Sequence, residues 1–142
     1  MRGGGAGRAM AFALAAGLCS VSAVALAPGP GLKATQSIES GQWLVRERGQ
    51  KTGGQNLCLR DVSALIQLRH PGAQCSRFVI DDQPNRATVH YTCPGAGHGR
   101  TTITVDTSHS ITVETQGIAS GLPFQDEFTV RRVGSCRSGR SR

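Results

Sequence analysis

The chain has 142 residues, room for one domain with a modest hydrophobic core. It carries 16 Lys and Arg against 9 Asp and Glu, a net charge of +7, yet only one Trp, one Tyr and four Phe. With so few aromatic faces to stack on bases, the basic balance does not point to nucleic acid as a partner.

Residues Met1 to Arg8 hold Arg2 and Arg8 and no acid, and the apolar run AMAFALAAGLCSVSAVALA follows from Ala9 to Ala27. A basic start before an apolar stretch is the layout of a secretory signal peptide, which is assigned to residues 1–25. Ala23-Val24-Ala25 offers small residues for cleavage before Leu26, whereas cleavage after Ala27 would leave Pro28 at the first mature position, a poor fit for the peptidase. The competing reading is an uncleaved anchor, since these 19 residues nearly reach across a bilayer as a helix. The run is dominated by Ala, Gly, Ser and Val, which gain little from lipid, and no basic stop-transfer flank follows. Leu18 before Cys19 is too bulky for a lipid-attachment box. No stable membrane span is therefore expected after cleavage. Loss of the leader removes Arg2, Arg8 and Cys19, so the mature net charge falls from +7 to +5.

Residues 26–40, including PGPGLKATQS from Pro28 to Ser37, read as a flexible linker because Pro and Gly oppose both helix and ladder. A domain is expected over 41–136. In GQWLVRERG, Trp43 and Val45 fall on one face and Arg46 and Arg48 on the other, the period of a strand. The turn KTGG and a second short strand, NLCL, come next. Asp61 offers a helix N-cap, and Val62, Leu65, Ile66 and Arg69 share a stripe before Pro71-Gly72, which predicts one short helix near 61–69. Strands are predicted at Ser76 to Ile80, Ala87 to Cys93, Arg100 to Asp106, Ser110 to Gln116 and Phe124 to Val133, separated by turn clusters. Ile103 and Val105 oppose Thr102 and Thr104, and Ile111 and Val113 oppose Ser110, Thr112 and Glu114. Such one-sided strands belong to an antiparallel sheet with one buried and one wet face. The fold class is mainly all-β: an antiparallel meander of about seven strands, a curled sheet or partly closed barrel, with the helix over an edge or open end.

Four cysteines remain in the mature chain, Cys58, Cys75, Cys93 and Cys136. An even number in a small exported chain implies two disulfides, with three possible pairings. A hairpin turning at residues 82 to 86 brings Cys75 close to Cys93, which leaves Cys58 for Cys136. Matching the apolar faces pulls the other way. It sets Ile80 beside Val89 and Phe78 beside Tyr91, a register that places Cys93 opposite Ser76. The spacings contain no C-x-x-C pair, so no metal is assigned to these thiols.

The stretch VHYTCPGAGHG, Val89 to Gly99, concentrates a cysteine, two histidines and three glycines. Gly95-Ala96-Gly97-His98-Gly99 precedes a strand, whereas a dinucleotide cradle needs a helix N-terminus to receive phosphate, so the glycines read as turn formers. His90 and His98 lack a third metal ligand, and His70 and His109 sit near turns. Asp81-Asp82 and Asp126-Glu127 are adjacent carboxylates of the kind acid–base hydrolysis uses, but the first pair stands at a hairpin turn. Ser63, Asp61 and His70 have no triad spacing, and G-x-S-x-G and H-E-x-x-H are missing. No catalytic residue, cofactor or metal is assigned, and an enzyme is the disfavoured reading. Arg131, Arg132, Arg137, Arg140 and Arg142 crowd the last dozen residues without an acid. They form a candidate contact for an anionic partner, with 137–142 as a basic disordered tail; a solvated, frayed terminus is the plainer account.

Gly41-Gln42-Trp43 on the first strand, Cys58-Leu59 before a helix, a hairpin framed by Cys75 and Cys93, and the closing Arg131-Arg132-Val133-Gly134-Ser135-Cys136 together resemble the domain of unknown function 3617 family. The resemblance runs from about Gly41 to Cys136, and the hairpin tip Gln83-Pro84-Asn85 departs from the Gly-Asn of that family. It implies a β-rich protein, periplasmic or secreted in a Gram-negative bacterium, and brings no catalytic residue. Two classes of function remain. One is a non-catalytic binding or interaction module of the cell envelope, taking an envelope protein, a glycan or a small apolar ligand on its Thr-rich outward face (Thr88, Thr92, Thr102, Thr104, Thr112) or in the mouth of the sheet. The alternative is an inhibitor of a cell-wall hydrolase, inserting Gly95 to Gly99 or Ser120-Gly121-Leu122-Pro123, or a small hydrolytic enzyme.

Overall fold

Apolar and polar residues alternate through most of the second half of the chain, and that period of two can bury one face only as a strand. The computed structural model describes residues 31–61 and 63–137, with Gly3. The signal peptide assigned to 1–25, and Arg140 and Arg142, lie outside the described residues. Among the described residues seven strands form: β1 (Gly41–Glu47), β2 (Gln55–Leu59), β3 (Ser76–Asp82), β4 (Arg86–Cys93), β5 (Gly97–Thr107), β6 (Ser110–Ala119) and β7 (Leu122–Gly134). They make one antiparallel sheet in the order β2-β1-β7-β6-β5-β4-β3, which does not close. The run from β3 to β7 is a meander of hairpins, and β1 returns to pair with β7. The expected all-β class is what the chain adopts.

Trp43, Val45, Val89, Tyr91, Ile103, Ile111, Val113 and Val130 line the inner face and are buried. Leu65 and Ile66 cover them from a helix, α1, that spans Ser63–Ile66, much shorter than the 61–69 predicted. Four residues cannot hold a helix by local hydrogen bonding, so α1 persists through the burial of those two side chains. Residues 31–40 also depart from the linker reading. They include a 3₁₀ turn at Lys33–Thr35, and Ala34 is fully buried in the core. Asp82 Oδ1 accepts the Lys33 N–H at 2.8 Å, and Trp43 Nε1–H donates to the Glu39 carbonyl at 3.2 Å. The segment is pinned at both ends because the sheet supplies partners that the sequence pattern does not reveal.

The β3–β4 register is displaced by one residue from the apolar match. Val79, not Ile80, faces Val89, and Phe78 faces His90. Ile80 sits where the ladder slips, and Phe78 stays 69% exposed. The Cys75–Cys93 disulfide lies just beyond the Ser76–Thr92 pair and is aligned only in this register. A covalent crosslink outweighs the partial burial of two side chains on an edge strand. The second disulfide joins Cys58 on β2 to Cys136 beyond β7, bracketing β1 between the two strands it pairs with. Two disulfides mark an exported, non-cytoplasmic protein.

Chain-entropy reasoning ranks the two crosslinks, which close separations of 78 and 18 residues. Replacing Cys58 and Cys136 by Ala is expected to lower the unfolding free energy by about 4.5 kcal/mol, and replacing Cys75 and Cys93 by about 3 kcal/mol. Urea unfolding of the two double variants measures both, and the opposite ranking would reject the account.

Candidate ligand-binding face

Residues directly opposite in an antiparallel pair share a face, so the register maps the wet side of the sheet into rows. One row runs Phe78, His90, Arg100, Gln116, Gln125 from β3 to β7. The next runs Thr88, Thr102, Glu114, Glu127. Thr92, His98, Ile118 and Pro123 lie on the other side of the first row. Of the threonines picked out as outward, Thr92, Thr102, Thr104 and Thr112 stand on this face, whereas Thr88 is buried in its row and its hydroxyl hydrogen bonds that of Thr102 at 3.0 Å.

Arg100, Thr102, Glu114, Gln116, Gln125 and Glu127 border a groove of about 490 Å³. Glu114 and Glu127 face each other across β6 and β7, a like-charge pair that costs energy unless neutralised. Arg48 supplies the charge: its Nη1–H donates to both Glu127 oxygens at 2.6 Å. That hydrogen bond, and then the carboxylate charge, hold the Arg48 guanidinium above its ordinary range. A smaller hollow of about 310 Å³, bordered by His90, His98, Arg100, Gln116 and Ile118, adjoins the groove through Arg100 and Gln116. The His90 and His98 rings lie 6.0 Å apart, and no group of three metal-ligating side chains gathers among the described residues.

The inner face also carries polar chemistry, and there the sequence reading of His70 as an idle turn residue fails. His70 is 5% exposed. Its Nε2 faces the carbonyls of Ala96 and Ile118 at 3.2 and 3.1 Å, so that nitrogen carries the proton and donates. In the neutral ring Nδ1 accepts from the Tyr91 hydroxyl at 3.1 Å. Thr101 Oγ1–H donates to the Ile66 carbonyl at 2.6 Å and meets Thr115 Oγ1 at 2.8 Å. The ring of Phe124 stands edge-on to His70, and Arg69 lies over its face. Arg69 Nε is 3.2 Å from Asp126 Oδ2, out of line for a hydrogen bond, so the contact is an ion pair alone. With Tyr91 fully buried, no substrate reaches this network.

The glycines read as turn formers explain how it fits. Gly97 and Gly99 lie within β5 and Gly117 within β6. A Cβ on Gly99 would stand 2.5 Å from the Tyr91 hydroxyl oxygen, one on Gly97 would strike the Ile118 carbonyl and approach His70, and one on Gly117 would strike the His98 carbonyl. Three glycines on neighbouring strands, with Tyr91 shortly before them, were the available signal; His70 lies far from them in sequence.

The other candidates are dispersed. Asp81 accepts from Gln83 Nε2 at the hairpin turn, and Asp82 accepts the Lys33 N–H of the 3₁₀ segment, so the two carboxylates serve different contacts. Asp126 and Glu127, adjacent on β7, point to opposite faces. The carboxylates that do share a face, Glu114 and Glu127, are distant in sequence. Arg131 faces out beside Ser110 and Leu44, while Arg132 donates to the Ser40 carbonyl and lies 3.9 Å from Glu39, which divides the expected basic cluster. Arg137 is exposed beyond β7. His109 hydrogen bonds Glu39 at 2.9 Å, and this bond, then the imidazole charge, lowers the Glu39 carboxyl below its usual range. Comparison with known protein families, curated proteins and solved structures gives no match.

Two measurements check the inner network. Gly99→Ala is expected to cost about 2 kcal/mol or more in unfolding free energy through overpacking against Tyr91, with most of the loss relieved in a Tyr91→Ala background. Burial raises the Tyr91 pKa above the ordinary 10.0, with Thr115 and Arg69 pulling weakly the other way. The neutral phenol is favoured in the folded state. Its stabilisation is therefore complete below about pH 10 and is lost as pH rises through the folded value. Tyr91 is the one tyrosine of the chain, so absorbance at phenolate wavelengths reports it alone. A native midpoint no higher than the denatured one would refute the burial argument.

Proposed function

We propose that the mature chain is a non-catalytic binding module of the cell envelope, periplasmic or secreted, and that its outer groove takes a hydroxyl-rich ligand, a glycan. The observation that carries this is the row chemistry: amide, carboxylate, guanidinium and hydroxyl groups from β5, β6 and β7 converge on one groove. Sugar hydroxyls both donate and accept, and planar side chains fixed on strands meet them without a large ordering cost. Phe78, exposed at the end of the upper row, offers an aromatic face to the C–H face of a sugar ring. The two disulfides and the resemblance to the domain of unknown function 3617 family support a place in the envelope.

Two features weigh against catalysis and inhibition. Glu127 commits both oxygens to Arg48, which leaves neither for proton transfer opposite Glu114. A hydrolase inhibitor needs a protruding finger, whereas Ser120 and Gly121 form a two-residue turn between the paired Ala119 and Leu122, with the Ser120 N–H bonded to the Ala96 carbonyl. Of the Gly95 to Gly99 tip, Gly97 onward is already strand.

Calorimetric titration of the oxidised mature chain with soluble peptidoglycan fragments and lipopolysaccharide core oligosaccharides tests the proposal. Binding without bond cleavage is expected, weakened about tenfold by Gln125→Ala, equivalent to ~1.4 kcal/mol. No binding to any of these glycans, or hydrolysis of one, would overturn it.

A further inference from the structure

The charges on the outer face are unevenly settled. Arg48 is paired with Glu127. Arg100 has no such partner among the described residues, though it stands in the middle of the sheet. It lies directly across from His90 on β4, and His98 follows on the diagonal, its ring 6.0 Å from that of His90. The groups facing these three from the neighbouring strands are Phe78, Thr92, Gln116 and Ile118, none of them acidic. The nearest carboxylates of the face, Glu114 and Glu127, belong to the next row.

We infer that the hollow under His90, His98 and Arg100 is a subsite for an anionic group, a carboxylate or phosphate, carried by the ligand of the adjoining groove. The inference rests on the glycan reading of that groove and deepens it: the ligand is an acidic glycan. A permanent guanidinium charge and two imidazoles present hydrogen-bond donors and positive charge to one small space, the pattern that recognises an oxyanion. Gln116, shared by both cavities, bridges the charged end to the hydroxyl-binding end. Two imidazoles alone would also suit a divalent transition metal, but the guanidinium opposite His90 repels a dication and attracts an anion.

The test uses the oxidised mature chain and two probes. In NMR titration with inorganic phosphate at pH 7, the ring signals of His90 and His98 are expected to shift and saturate while those of His109 stay still. Arg100→Ala should weaken the apparent affinity about fivefold or more. Silent His90 and His98 rings, shifts indifferent to Arg100→Ala, or zinc ions binding those rings more tightly than phosphate would overturn the subsite. The second probe compares trigalacturonate with its methyl ester, the same sugar backbone with and without carboxylates. A preference of about tenfold for the charged form, reduced by His90→Ala, which borders the hollow and not the groove, with neutral binding retained, is the expected result. Equal binding of both by the unmodified chain would leave the groove standing and remove the subsite. Phosphate shifts without binding of either saccharide would leave the subsite standing and remove the glycan reading.

Discussion

The hydrogen bond between Tyr91 and His70 ties the segment that covers the sheet to the face it covers. An open sheet with one apolar side must find a lid, and here the lid is slight: the four residues of α1, a 3₁₀ turn and the loop that carries His70. Burial of Leu65, Ile66 and Ala34 supplies the hydrophobic part of the attachment. Polar bonds supply the direction. Thr101 takes hold of the Ile66 carbonyl at the end of α1, and Tyr91 takes hold of His70 beyond it. Such buried groups are costly when unpaired, and pairing them all at once selects one placement of the lid over its alternatives. Gly99 and Gly97 of β5 give Tyr91 and His70 their space, and Gly117 of β6 lets its strand approach the β5 backbone.

Commitment of the inner face explains why chemistry falls to the outer one. His70 and Tyr91 would be an attractive acid–base pair if solvent reached them, but every polar atom of the imidazole is already bonded to protein. The outer face shows the converse. Its side chains stand on the same strands, yet those of His90, Arg100 and Gln116 make no hydrogen bond or ion pair with another of the described residues. Groups held in place and left unsatisfied by protein are what a ligand-binding surface requires.

Much of the fold was legible because the signal was periodic. The alternation of Ile103, Val105, Ile111 and Val113 with threonines marked both the sheet and its faces, and the four cysteines Cys58, Cys75, Cys93 and Cys136 pointed to the oxidised state. Three features were not legible, each for a physical reason. The β3 register defied its apolar pattern because an edge strand buries little and the crosslink decides alignment. Residues 31–40 look like linker, since Pro and Gly precede them, but Ala34 is small enough to fill a core site that no periodicity announces. The outer groove was invisible because its rows run across strands: Arg100, Gln116 and Gln125 become neighbours only through register. The adjacent pair Asp126-Glu127 drew notice for its sequence proximity, although a strand sends consecutive side chains to opposite faces.

The crosslinks bear on the outer face as well as on stability. Cys93 pairs with Gly97 on β5, one step along the strands from Thr92 and His98. Its bond to Cys75 holds β3 against β4 at the same end of the sheet, beside Phe78 and His90. An edge strand with an exposed apolar centre is otherwise prone to fray or to pair with a foreign strand. Fixing it covalently keeps the aromatic end of the upper row in line with the basic residues next to it. In this sheet the disulfide is therefore a positioning element for the proposed ligand face, and the one-residue displacement it imposes brings Phe78 opposite His90.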